Sequence, residues 1–307
     1  MKTANFNLDY LDTCLRKEGY YDCYNYDAAK LLTNKDVISE RRNEEYTLDK
    51  EGKKIYTYDF IFMPSFGFLG GNEPLIKDCE VRLSFDRAPP SSALMKLKAN
   101  AKCDNLELHN VVALTEYVTS PDIEARFGTI DMNPIVYEYE EVELLDRAIP
   151  IGEKVIRLDN VRGGNIPSYI FAGIIKTQAK TGSFDLSSTN FQWNGVKEMN
   201  ISLNGASVHP FPIEVENENS IYPLFQFEDT VGRSYNLNCG RGFTRTKFRS
   251  NFLWAYKFEV EKTSNGWIGI NFHLDKAFTE SMTMIIWLVY PCAISIDKFH
   301  KIEKMIL

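Results

Sequence analysis

The chain has 307 residues, a net charge of −7 and a pI near 5.3, so its overall composition argues against a dedicated nucleic-acid-binding surface. Hydrophobic residues make up 44% of the chain and charged residues 25%, which is typical of a soluble globular protein with a sizeable core. The length allows one large all-β domain or two unequal units.

Residues 1–98 have the least regular pattern. Leucines recur on one helical face over 7–18, which predicts a short amphipathic helix. Alternating apolar residues then predict two strands, at 56–62 and 79–85. Two strands cannot close a stable sandwich, so we predict a small α+β N-terminal segment. Met1 leads straight into polar and acidic residues, which predicts no export signal.

The cysteines are spread along the chain without the Cys-x-x-Cys spacing of a metal or redox motif. Most of them lie in apolar contexts, which favours buried free thiols in a reducing compartment over disulfides or zinc ligands. The six cysteines are Cys14, Cys23, Cys79, Cys103, Cys239 and Cys292.

From residue 99 to residue 307, strand patterns recur at the short spacing of an antiparallel sandwich. The first five predicted strands span 106–118, 136–146, 154–158, 168–176 and 196–203, with a helical turn through Phe127 after the first. Within 136–146 the apolar residues change from odd to even positions, which predicts a β-bulge near Glu140 and Glu141. Asn204-Gly205 predicts a type I′ hairpin turn, because both central residues of that turn need positive φ.

Three further strands are predicted near the C-terminus, at 252–260, 267–274 and 283–290. The first two have apolar residues at even positions and therefore one buried face. The third is apolar on both sides, which predicts a central strand covered on both faces and is too short to span a bilayer. Without a βαβ rhythm, this part is predicted to be an all-β, antiparallel jelly-roll sandwich.

The connection over 205–251 is too long for a hairpin turn, and loops of this length are usually functional or bound to a partner. It contains an acidic tract at 214–218, an aromatic run at 222–227 and a basic stretch at 233–249. We expect a subunit interface here, with basic residues paired to acids rather than to nucleic acid. The predicted interface residues are Tyr222, Phe225, Phe227, Arg241, Arg245 and Arg249.

Motifs for catalysis are absent from the sequence: it contains no GxSxG elbow, HExxH or phosphate-binding loop. We predict no metal site and no cofactor, because the histidines are isolated from one another. These histidines are His109, His209, His273 and His300. The acids within 138–143 predict a solvated or salt-bridged strand edge rather than an acid–base pair. An enzyme is therefore the least favoured class.

A series of short motifs occurs in a fixed order in the second half of the chain. They are Ile149-Pro150-Ile151-Gly152, Asp159-Asn160-Val161, Gly164, Ile166-Pro167, Ile170, Gly173, Gly182, Asn190-Phe191 and Gly205. This order resembles the capsid proteins of Maverick/Polinton elements and adintovirus-like viruses, and the resemblance extends from Tyr56 to Glu303. The family's Asn-Pro-Phe-Asn-Phe is replaced here by Ser188 to Trp193, and its Ala-Phe-Asp-Leu by Ala255 to Phe258.

The resemblance implies a double jelly-roll protein, with residues 99–307 as its C-terminal jelly roll and residues 1–98 as the end of the first. It implies a non-catalytic capsid subunit of the virion, made in the cytoplasm or nucleus of a host cell. The implied partners are further copies of the chain, as a trimer, other capsid subunits and a separate chain that supplies the first jelly roll. No membrane partner and no cofactor are implied.

A lectin-like sandwich is the alternative from a different class. In that case exposed aromatic side chains would stack on sugars. The candidates for stacking are Trp193, Tyr222 and Trp267.

Overall fold

The computed structural model describes residues 46–48, 50–52, 54–56, 75, 80–86, 88–93, 107–112, 121, 125, 134–186, 188, 191, 193–215, 221–231, 248, 252–258, 265–297, 299 and 301–306. The predicted helix over 7–18 lies outside these residues, as do all basic side chains of the stretch at 233–249 and all cysteines except Cys292. Cys292 is a buried free thiol, as predicted.

The N-terminal part contains two short strands, β1 (Tyr46–Leu48) and β2 (Lys54–Tyr56), which pair as an antiparallel hairpin. A one-turn helix, α1, follows at Pro90–Ala93. The predicted helical turn that follows residue 118 is confirmed at its two described residues, Pro121 and Ala125. The predicted division of the chain at residue 98 remains a prediction.

Two predicted strands are wrong where the structure describes them. Residues 80–86 and 107–112 carry no strand, and their large apolar side chains are exposed. These side chains are Val81, Leu83, Phe85, Leu108, Val111 and Val112. Alternation marks a face that can be buried, but a strand also needs a neighbouring edge to complete its backbone hydrogen bonds.

The first sheet of the sandwich has five antiparallel strands. They are β3 (Ile135–Ile149), β5 (Tyr169–Lys176), β9 (Trp254–Lys257), β11 (Met282–Ile296) and β12 (Ile302–Ile306). Strand β11 pairs with β3 along its whole length, so β5 and β12 share its other edge. Strand β9 pairs with β5 and completes the order β3–β11–β5–β9.

The second sheet also has five antiparallel strands. They are β4 (Val155–Asn165), β6 (Val196–Leu203), β7 (Ala206–Ser207), β8 (Ile213–Glu214) and β10 (Asn265–Leu274). Strand β10 lies between β4 and β6, and the short strands β7 and β8 both pair with β6. Strand β4 is seven residues longer at its C-terminal side than predicted, since it pairs with β10 as far as Asn165 and not only to Leu158.

The pairing scheme is that of a rolled-up antiparallel ribbon. With β12 as an added strand beside β11, the pairs are nested in sequence: β3 pairs with β11, β4 with β10, β5 with β9, and β6 with β7. Two antiparallel sheets connected in this way form a jelly-roll sandwich. The predicted fold class is therefore confirmed.

Two short helices interrupt the strands: α2 (Thr177–Thr181) and α3 (Tyr222–Thr230). Helix α2 contacts β5 and β11, and α3 packs on β9. The connection over 205–251 is thus not a plain loop, because its first half contains β7, β8 and α3. No helix in the described part of the chain is long and apolar enough to cross a membrane.

The core lies between the two sheets and contains the side chains that the alternation predicts. In β10 the even-numbered residues Ile268, Ile270, Phe272 and Leu274 are all at most 2% exposed. Burial of four such side chains stabilises the fold by about 6–12 kcal/mol, as an upper figure. Trp254 of β9 is fully buried and contacts Phe272 edge to face at 5.7 Å, which connects the two sheets.

Strand β11 is covered on both faces, as predicted. On the inner face Met284, Ile286 and Leu288 are fully buried. On the outer face Ile285 belongs to a second cluster, in which the Phe191 ring meets Trp287 edge to face at 5.3 Å. Phe191, in the segment after α2, therefore covers part of the outer face of this sheet.

The predicted Asn204-Gly205 turn is confirmed. The φ angles are 53° at Asn204 and 81° at Gly205, and the turn joins β6 to β7. The Asn204 side chain also accepts a hydrogen bond from the Trp267 backbone N–H at 3.0 Å, which ties the turn to β10. An asparagine at the first position is favourable because it tolerates the left-handed conformation better than bulkier residues do.

We expect Trp254→Ala to lower the free energy of unfolding by about 3–5 kcal/mol, because it leaves a large cavity between the sheets. Urea titration of the purified chain measures this difference. Trp267→Ala is the matched control, since Trp267 is 43% exposed and its loss should change stability by less than about 0.5 kcal/mol. Equal effects of the two substitutions would contradict the assignment of Trp254 to the core.

Candidate assembly surface

Helix α3 forms from the aromatic run that the sequence places in the long connection. Pro223 lies in its first turn, where the missing N–H costs nothing, and the residues that follow carry no glycine. The Phe225 N–H donates to the Ile221 carbonyl at 2.9 Å, and the Val231 N–H donates to the Phe227 carbonyl at 3.0 Å at the other end.

One face of α3 is apolar and exposed. Ile221, Tyr222 and Phe225 expose 47%, 45% and 49% of their surface. Residues 221 and 225 are one helical turn apart and therefore share a face. We call these three side chains the α3 patch; it is an exposed apolar surface in the described part of the chain.

The opposite face of α3 packs on the sandwich. Leu224 is 5% exposed and belongs to the main core. The Phe227 ring lies 6.3 Å from Phe171 of β5 and 5.6 Å from Phe248. Phe227 thus contributes to the fold rather than to a free surface.

The predicted interface residues fall into three groups. Tyr222 and Phe225 are together on the α3 patch, and Phe227 is packed inward. Arg241, Arg245 and Arg249 lie outside the described residues. The sequence pattern did not single out Ile221, which completes the patch; its spacing of four residues from Phe225 is the signal that identifies it.

The β-bulge predicted in β3 is absent. The register between β3 and β11 continues without a shift through Glu140↔Pro291 and Glu141↔Tyr290. Odd-numbered residues of β3 from 135 to 145 are buried or half-buried on its inner face, and they include Glu141 and Glu143. Apolar residues therefore change from odd to even positions because acidic residues occupy inward-facing odd positions of β3. These acids form ion pairs with bases of other strands.

The two inward-facing acids of β3 are paired with bases from other strands. Lys304 of β12 lies 2.6 Å from one Glu141 oxygen and 2.7 Å from the other. Arg162 of β4 lies 3.2 Å from Glu143. Lys304 reaches Glu141 across β11. Its hydrogen bond stabilises the ionised carboxylate and so holds the pKa of Glu141 below its ordinary value. The predicted salt-bridged row of acids is thus confirmed, and Glu138 and Glu140 are exposed.

Cys292 and Tyr290 of β11 border these ion pairs. The Cys292 thiol donates to Glu141 at 3.4 Å, and burial raises the pKa of this thiol above its ordinary value. Burial, together with the nearby Glu143 carboxylate, raises the pKa of Tyr290 to about 12. Both groups therefore remain protonated at neutral pH, and the site holds the sheet together.

The outward face of β3 carries apolar side chains. Val136, Val142 and Leu144 are 41%, 54% and 61% exposed. Strand β3 pairs only with β11 among the described strands, so these residues lie at an edge of the first sheet. Glu138 and Glu140 lie between them and give the edge the charges that discourage pairing with other strands.

The three aromatic residues proposed for sugar stacking lie in different places. Trp193 packs partly against the main core. Trp267 is 43% exposed on β10 of the second sheet, and Tyr222 lies on α3, which packs on β9 of the first sheet. The structure therefore does not bring them together in one binding site.

Other features of the described residues do not form a reactive site. No three side chains of His, Cys, Asp or Glu there are placed to hold a metal ion. An open pocket of about 380 Å³ lies beside Trp193 and Asp275, and its Glu280 is 2.7 Å from Lys176 in an ion pair.

Comparisons with known proteins give weak similarities. No protein-family model matches the chain. An uncharacterized protein of Caenorhabditis elegans is 22% identical over 199 residues, which cover 62% of this chain and 47% of that protein. The chain thus spans about half the length of the curated relative that it matches.

Three solved viral capsid structures are similar to the chain, each at low identity. The crystal structure of the mavirus major capsid protein matches 62% of this chain and 44% of its own, with a TM-score of 0.37 and 9% identity. The cryo-EM structure of the Sputnik virophage matches 56% and 39%, with a TM-score of 0.37 and 11% identity. The PBCV-1 virus capsid model matches 61% and 54%, with a TM-score of 0.36 and 9% identity.

We expect Glu141→Gln to lower the free energy of unfolding at pH 7 by less than about 1 kcal/mol, because Glu141 and Lys304 are both partly exposed. The contribution of Glu141 is present above its ordinary pKa of 4.5 and is lost as the pH falls below it. The variant should therefore lose less stability than the wild type on acidification, as measured by urea titration across pH. Glu140→Gln, an outward-facing neighbour, should behave like the wild type.

Alkylation should distinguish Cys292 in the folded and unfolded chain. Because Cys292 is buried and its pKa is raised, iodoacetamide at pH 8 should modify it many-fold more slowly in the native protein than in urea. Peptide mapping by mass spectrometry follows this cysteine separately from the other five. Equal rates in both states would contradict its burial under β12 and β3.

Proposed function

We propose that the chain is a non-catalytic structural subunit of a shell, in which copies associate through the α3 patch. The observation that carries this proposal is the exposure of Ile221, Tyr222 and Phe225, each near one half, on a helix anchored to a jelly-roll sandwich. Tyrosine and phenylalanine are enriched where protein surfaces meet, because they bury a large area at a small entropic cost.

The order of motifs in the sequence supports a capsid role. It resembles the capsid proteins of Maverick/Polinton elements, and the sandwich has the jelly-roll pairing that such a protein needs. On this proposal the chain occurs in the virion, as a homotrimer with other capsid subunits. A separate chain would supply the first jelly roll, and the basic side chains of Arg241, Arg245 and Arg249 would meet acids of a neighbour.

Analytical ultracentrifugation over a wide range of concentration, combined with negative-stain microscopy, tests this role. We expect the full chain to associate and the double substitution Tyr222→Ser and Phe225→Ser to raise the dissociation constant by roughly a hundredfold or more, since each ring is a candidate hot spot. Trp267→Ser is the matched control, because it removes an equally exposed aromatic side chain from the second sheet.

Two outcomes would contradict the proposal. A chain that stays monomeric at every concentration, with and without the chain that completes the double jelly roll, would exclude self-assembly. An equal loss of association in the Trp267→Ser control would show that the α3 patch is not the interface. Glycan binding by the monomer that Trp267→Ser abolishes would instead favour the lectin-like alternative.

A further inference from the structure

His209 lies where three elements of the sandwich meet. It belongs to the segment that carries β7 and β8 of the second sheet, and its ring is 5.1 Å from Tyr256 of β9 in the first sheet. The same ring is 6.4 Å from Tyr222 of α3, and both ring pairs are edge to face. His209 therefore contacts both α3 and β9 from the segment that carries β7 and β8.

Hydrogen bonds hold the His209 ring and backbone in this position. The Gln226 amide N–H of α3 donates to His209 Nε2 at 3.3 Å, which requires the neutral ring with its proton on Nδ1. The Ser207 hydroxyl donates to the His209 backbone carbonyl at 2.6 Å. Gln226 is only 9% exposed, and its Oε1 has no hydrogen-bond partner among the described residues. With the Gln226 N–H as donor, the site holds a neutral imidazole.

Among the described residues, no charged side chain pairs with the His209 ring. Its described ring partners are the neutral phenols of Tyr222 and Tyr256. Lys257, next to Tyr256 on β9, projects from the opposite face of that strand, and the acids of α3 nearest in sequence are Glu228 and Asp229. Burial is the cause that lowers the pKa of His209, with no contribution from these charged side chains.

We propose that His209 is an acid-sensitive clasp, which holds α3 and the segment 206–215 together over the edge of the sandwich and releases them when it is protonated. Protonation removes the Nε2 acceptor of His209, which leaves the Gln226 amide N–H only its longer bond to the Tyr222 hydroxyl at 3.5 Å, and it places a charge at a partly buried site. The released state would expose the inward face of α3, including Leu224 and Phe227. This inference does not depend on the role in a shell.

The direction of the pH effect follows from proton linkage. In the open state His209 titrates near its ordinary pKa of 6.5, whereas the closed state binds its proton only at lower pH. The clasp is therefore fully effective above pH 6.5 and weakens as the pH falls below that value. The equilibrium constant for opening rises by at most tenfold for each pH unit in this window.

Hydrogen exchange of α3 amides in the full chain tests the clasp. The Phe225 and Val231 N–H groups are bonded within the helix, so their protection reports its docking. After correction for the intrinsic exchange rate, wild-type protection should fall by up to tenfold per pH unit below 6.5. His209→Gln removes the titration while keeping a polar side chain, and its protection should be independent of pH.

His273→Gln is the matched control. His273 is exposed on β10 and lies 3.4 Å from Glu198, so this variant should keep the wild-type pH profile. A pH profile in His209→Gln equal to that of the wild type, or a flat profile in the wild type, would overturn the clasp. Nuclear magnetic resonance titration of the His209 ring in the wild-type chain decides the matter if the variant does not fold, since a pKa of 6.5 or above would also overturn it.

Discussion

The fold depends on strand β11 being apolar on both faces. Along one edge, β11 pairs with all fifteen residues of β3. Along its other edge it pairs first with β5 and then with β12. Its inner side chains fill the space between the sheets, and its outer side chains, through Ile285 and Trp287, pack with Phe191 in the segment after α2. Because desolvated backbone must complete its hydrogen bonds, a strand buried on both faces requires a partner along each edge.

Burial of β11 also explains the polar residues at one end of the sheet. Near the end of the sheet where β12 pairs with β11, the inward-facing residues of β3 include Glu141 and Glu143. These carboxylates are partly exposed, and Lys304 and Arg162 pair with them. In this way β12 is connected through a side chain to β3, two strands away.

Helix α3 shows how one short segment serves two surfaces. Its inward residues complete the core, while the α3 patch stays exposed on the other side. Both faces carry apolar side chains, so the periodicity of apolar residues in the sequence does not show which face is buried. The contact between His209 and Gln226 connects the helix to the segment that carries β7 and β8 of the second sheet.

The sequence by itself determined the all-β class, the buried faces of β10 and β11, and the turn at Asn204-Gly205, because these follow from local periodicity and backbone preference. Only the tertiary structure decided the rest. Residues 80–86 alternate like a strand but lack a described partner, and the phase change in β3 arises from ion pairs formed by residues distant in sequence. The inward packing of Phe227 and the position of His209 likewise depend on which strands lie opposite, and this is a property of the folded chain rather than of any local pattern.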